Sequence, residues 1–88
     1  MKYEIFLAKE AKKDIAQLRF SEPQAYKKFE AFLAELREHP ETGTGHPKRL
    51  DENRWSRRIT QKHLLVYEIE KEEVVVSIYS AYGHYEDK

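Results

Sequence analysis

The spacing of apolar residues changes along this chain, and that change restricts the fold to a layered α+β arrangement. From Ala8 to Leu36 apolar positions recur every three or four residues, whereas from Trp55 to Ser80 they alternate or run together. The first spacing suits helices with one buried face and the second suits strands. A chain of 88 residues holds one compact core, so helices and strands must share it and residues 1–88 read as a single domain.

Lys2 to Leu7 set Tyr3, Ile5 and Leu7 against Lys2, Glu4 and Phe6, as a strand with one buried face does. Ala8, Ala11, Ile15 and Leu18 then trace a short helix, with Lys9, Lys12, Lys13 and Gln17 on its other side. Ser21 and Gln24 have the form of a capping box, with Pro23 in the first turn of a second helix. That helix aligns Ala25, Phe29, Phe32, Leu33 and Leu36, and ends near His39 because Pro40 disfavours a helical residue before it. Glu41 to Pro47 concentrate glycine, threonine and proline as a loop does. Strands are expected at Trp55–Thr60, Leu64–Glu70 and Glu73–Ser80, joined at Gln61–His63 and Lys71–Glu72 into an antiparallel meander. The last strand is apolar nearly throughout and should lie inside the sheet. The helices then cover one sheet face, and a ligand has the other.

Composition narrows the function. Apolar residues make up 40% and charged residues 36%, with both signs scattered, and no run is long enough to span a membrane. The opening MKYEIFLAKEAKKDIAQL lacks a secretory signal's apolar centre, so a cytoplasmic location is expected. Without cysteine there is no disulfide framework and no thiolate zinc site. His39, His46, His63 and His84 do not recur at metal-ligand spacing, so neither a metal nor another cofactor is expected. The formal net charge of +0 argues against binding nucleic acid by bulk attraction. The distribution is uneven, however: Lys48, Arg49, Arg54, Arg57, Arg58 and Lys62 face only Asp51 and Glu52 between His46 and His63. Taken alone, such a run is a solvated sheet face.

Three segments carry a resemblance: GTGHPKRL from Gly43, WSRRITQKHLLVYEI from Trp55, and SAYGHY from Ser80. In this order they resemble the YoeB branch of the RelE toxin superfamily, and the preceding strand and helices suit the fold of that family. The resemblance implies the toxin of a type II toxin-antitoxin system, a ribosome-dependent endoribonuclease cutting messenger RNA in the A site. It further implies metal-free attack of a ribose 2′-hydroxyl on the adjacent phosphate, a cognate antitoxin, and a homodimer or toxin-antitoxin hetero-oligomer. By this resemblance His84 is the general acid, a task suited to imidazole with its ordinary pKa of about 6.5. Tyr85 stacks on or orients a base, and Arg58 holds the scissile phosphate with a planar, permanently charged fork. Arg57 and Lys62 add RNA contacts, although Arg57 alternates to the opposite face and pairs there with an acidic group or with the ribosome. Trp55, Ile59 and Tyr67 are core residues.

Two positions depart from the pattern. Lys48 stands where the family has a glutamate read as the base, and an ammonium has no lone pair to accept a proton, so Lys48 is expected to stabilise phosphate charge. Leu64 replaces the arginine of His-Arg-Leu-Val-Tyr, and losing such a donor costs roughly a hundredfold to a thousandfold in rate. Asp51 also occupies the place of a lysine. Weak cleavage is therefore expected, from a natural branch with Lys48, Arg58 and His84 as a reduced set or from attenuating substitutions; the alternative is a catalytically silent module of the same fold that binds RNA or antitoxin without cutting.

Overall fold

A computed structural model describes residues 2–83. Strand β1 (Glu4–Leu7) leads into helices α1 (Lys9–Ser21) and α2 (Pro23–Glu38), followed by β2 (Lys48–Arg49), β3 (Arg54–Arg58), β4 (Leu64–Glu70) and β5 (Val75–Ser80). The strand, helix pair and antiparallel meander expected from the periodicity are all present. Two features go beyond that expectation. The two-residue β2 extends the sheet beside β3, and β1 pairs in parallel with β5, giving the order β1-β5-β4-β3-β2.

Both helices stop at a proline. Glu22 takes φ −141° and ψ 77° ahead of Pro23, and His39 takes nearly the same angles ahead of Pro40. The proline ring crowds the preceding residue out of the helical region, so the chain turns sharply at each point. The capping box expected at Ser21 is absent. Ser21 is the last residue of α1 and donates its hydroxyl to the Gln17 carbonyl, while Glu22 is the N-cap of α2 and makes no side-chain cap. The last strand also begins later than expected, because Val74 adopts φ 57° in the preceding turn and cannot join the pleat there.

The core lies between the helices and one sheet face. Leu18, Phe29, Phe32 and Leu36 from the helices pack on Ile59, Leu65, Tyr67, Ile69, Val76 and Ile78. Burying a side chain of this size contributes about 1.5–3 kcal/mol, so this layer fixes which face of each strand points inward. Ile59 and Tyr67 are core residues as expected, whereas Trp55 is half-buried at its margin. Strand β5, flanked by β1 and β4, is an interior strand, as its apolar run implied.

Candidate active site

The register of β3 separates two adjacent arginines. Arg57 points to the helix side and is 0% exposed, and Arg58 lies on the other face in solvent. All five N–H donors of the Arg57 guanidinium are engaged. Its Nε donates to Tyr67 Oη at 3.1 Å, its Nη1 to Glu35 Oε1 at 2.6 Å and to the Thr44 carbonyl at 3.2 Å. Its Nη2 donates to the carbonyls of His39 at 2.8 Å and Thr42 at 2.7 Å. The expectation that Arg57 contacts RNA is therefore corrected: a fully buried guanidinium with every donor engaged has nothing to offer a phosphate. The acidic pairing weighed beside it is what the structure contains.

Arg57 organises the loop between α2 and β2. Thr44 donates its N–H to Glu35 Oε1 and its hydroxyl to Oε2, while Tyr67 donates its hydroxyl to the Pro40 carbonyl. Burial pushes the Glu35 carboxyl up, but Thr44 and Arg57 together outweigh it and hold its pKa below the usual 4.5. The loop also approaches α2 too closely for side chains at two positions. A Cβ on Gly45, at φ +83°, would sit 2.5 Å from Phe32 Cζ, and one on Gly43 would strike the Glu35 carboxylate. With the loop so held, the Gly45 carbonyl accepts the Arg58 N–H at 2.7 Å and Lys48 pairs across from Ser56.

Lys48 and Arg58 thus reach the same open face. Ser56 and Arg58 are two residues apart on β3, so Lys48 and Arg58 leave the backbone about 7 Å apart along the strand direction, on neighbouring strands. Both are exposed. Leu64 is the cross-strand partner of Arg58, and its N–H donates to the Gly83 carbonyl at 2.9 Å. Arg58, Leu64 and Gly83 therefore form one row across the sheet end. His84 and Tyr85, expected as acid and stacking residue, lie outside the described residues. Lys62 is exposed in the β3–β4 turn, its Nζ 3.9 Å from Glu22 Oε2. Asp51, the unexpected acid, closes the β2–β3 turn by accepting the N–H groups of Asn53 at 3.3 Å and Arg54 at 3.0 Å.

Sequence reasoning passed over His63. It is 3% exposed, its Nε2 lies 2.6 Å from Glu22 Oε2, and its Nδ1 accepts the Gly83 N–H at 2.8 Å. A signal was present in the HLLVY string, but nothing in the linear order ties it to a glutamate 41 residues away. A hollow of about 490 Å³ is at the other end of the sheet, with Trp55 and Ile69 in its wall and carboxylates of Glu52, Glu70, Glu72 and Glu73 around it. Despite Arg49 and Lys71, that rim has the wrong polarity for a polyanion. Among the described residues no group of three or more histidines and carboxylates is placed to hold a metal ion. Nor is any described helix long and apolar enough to cross a membrane.

A family model described as the YoeB-like toxin of bacterial type II toxin-antitoxin systems matches residues 7–85. The chain belongs to that family. The YoeB-like assignment agrees with the solved structures it resembles. The YoeB dimer from Staphylococcus aureus is 26% identical, covers 97% of this chain and 100% of its own, and superposes with a TM-score of 0.82. A YoeB-YefM complex from the same organism is 25% identical over 97% of this chain and 100% of its own, with a TM-score of 0.79. A YoeB/ParE toxin from Agrobacterium tumefaciens has a TM-score of 0.86 at 21% identity, over 93% of this chain and 99% of its own, and shares the fold. No curated protein matches the sequence.

Proposed function

We propose that this YoeB-like chain is a ribosome-dependent endoribonuclease of weakened activity that cuts messenger RNA in the A site, and that a cognate antitoxin restrains it in the cytoplasm. The observation that carries this reading is the row formed by Arg58, Leu64 and Gly83. It sets an exposed guanidinium one strand away from the residue to which His84 is bonded. Attack by a ribose 2′-hydroxyl, which gives its proton to water because Lys48 stands in the base position, builds negative charge on the phosphorane, and Arg58 neutralises that charge with Lys48 beside it. His84 then protonates the departing 5′-oxygen, and Tyr85 stacks on a base. Lys62 adds positive charge at the turn, where it steers RNA rather than reacting.

With Lys48 in the base position and Leu64 opposite Arg58, a carboxylate and a guanidinium are missing from the expected set. The reading therefore specifies slow cleavage. The S. aureus relatives were solved as a dimer and as a complex with YefM, which supports an antitoxin and a second copy as partners for this chain. The test is a primed translation assay with purified protein. His84→Ala should abolish A-site cleavage while ribosome affinity persists, and Leu64→Arg with Lys48→Glu should raise the rate of the parent chain. Binding without any cleavage, even after both restorations, would favour an RNA- or antitoxin-binding module on the same fold.

A further inference from the structure

The segment after β5 is fastened by the helices rather than by the sheet alone. The Ala81 N–H donates to Asp14 Oδ2 on α1 at 3.0 Å, and the Gly83 N–H donates to His63 Nδ1 at 2.8 Å. A backbone N–H can only donate, so His63 Nδ1 carries no proton. The neutral ring must then be protonated at Nε2, which donates to Glu22 Oε2 at 2.6 Å. Glu22 is free to reach the ring because Pro23 expels it from both helices. The Tyr82 ring lies against the imidazole with centroids 4.4 Å apart, and the His63 carbonyl accepts the Ile59 N–H, which anchors the residue to the end of β3.

We propose that Glu22 and His63 act as positioning residues for the chain beyond Gly83: the carboxylate selects the Nε2–H tautomer, and the bare Nδ1 then holds the Gly83 amide. Resting on the ribonuclease reading, this assigns the dyad the task of setting the departure point of His84 and Tyr85 relative to Arg58. Neither residue touches the messenger. An imidazole lacking its carboxylate is free to take the Nδ1–H tautomer, which replaces an acceptor with a donor facing the Gly83 N–H and breaks the contact.

Because His63 is buried and its replacement risks the fold, the deciding variant is Glu22→Ala, with Glu22→Gln as the conservative rescue that keeps an acceptor for Nε2–H. Nitrogen-15 spectra of the intact chain should show His63 protonated at Nε2 and bare at Nδ1. In Glu22→Ala the Gly83 amide should exchange with solvent about tenfold faster. Cleavage turnover on saturating ribosomes should fall by a similar factor with KM unchanged, and Glu22→Gln should recover both. Unchanged Gly83 exchange in Glu22→Ala, or faster exchange with full turnover, would overturn the proposal. If the parent chain never cleaves RNA, the ribonuclease reading fails, while the ring tautomer and the Gly83 exchange still decide whether the dyad holds the segment.

Discussion

Arg57 and Arg58 are chemically identical neighbours placed in opposite surroundings. Arg57 spends every donor on the protein itself, on Glu35, Tyr67 and three carbonyls of the loop after α2. Arg58, one residue on, uses its backbone N–H to seat that loop and leaves its side chain in solvent, with a 3.3 Å contact to the Gln61 carbonyl. In the WSRRI string one guanidinium therefore builds the site and the other is presented by it. A cationic stretch in a sequence is not by itself a cationic surface.

The largest contrast is in stability. Arg57→Ala should cost about 3–5 kcal/mol in chemical denaturation, because it leaves the Glu35 carboxylate and several buried carbonyls without their donor. Arg58→Ala should change the same transition by less than about 0.5 kcal/mol. Equal losses in the two variants would erase the distinction between the faces. Gly45→Ala comes next, at about 1–3 kcal/mol, since both the positive φ and the contact with Phe32 oppose a side chain. It should also slow cleavage by shifting the loop that leads to Lys48.

The Glu35 end of the Arg57 network can be probed by pH. Its folded pKa lies below the unfolded value, so its contribution is full above about pH 4.5 and is lost as pH falls through the folded value. Glu35→Gln should therefore be less stable than the parent near neutrality and should lose less on acidification, as thermal melts at several pH values would show. A parallel decline in both proteins would place the acid sensitivity elsewhere. The smallest effect expected is from Asp51→Lys, which restores the family residue but removes two turn hydrogen bonds. It should cost about 1 kcal/mol, and any gain in cleavage would mean that the position faces the messenger as well as closing its turn.

How much of this was legible in the sequence depends on the range over which each feature is decided. Helix α2 was readable because its apolar stripe and Pro40 are local, and so was β5 from a run that is apolar nearly throughout. Ser21 misled because a capping box and the last turn of a preceding helix share residue types, and only the folded chain shows that Glu22, not Ser21, is the N-cap of α2. Strand β2 has two residues, too few for a period, and exists because β3 supplies its partner. The alternation of Arg57 and Arg58 was visible, but which of them the helices cover is a tertiary matter. His63 escaped for the same reason: its partners, Glu22 and Gly83, come from opposite halves of the chain. The roles proposed for His84 and Tyr85 rest on the family resemblance alone.

The most direct test of the division between the two faces is single-turnover cleavage of messenger on primed ribosomes by the parent chain and by Arg58→Ala, with the melting transition of each recorded in the same buffer. The account requires slow but measurable A-site cleavage by the parent, a further loss of roughly a hundredfold in Arg58→Ala, and superimposable melting curves. Cleavage that is equally fast in the two proteins would contradict it, because the exposed guanidinium would then have no part in the chemistry.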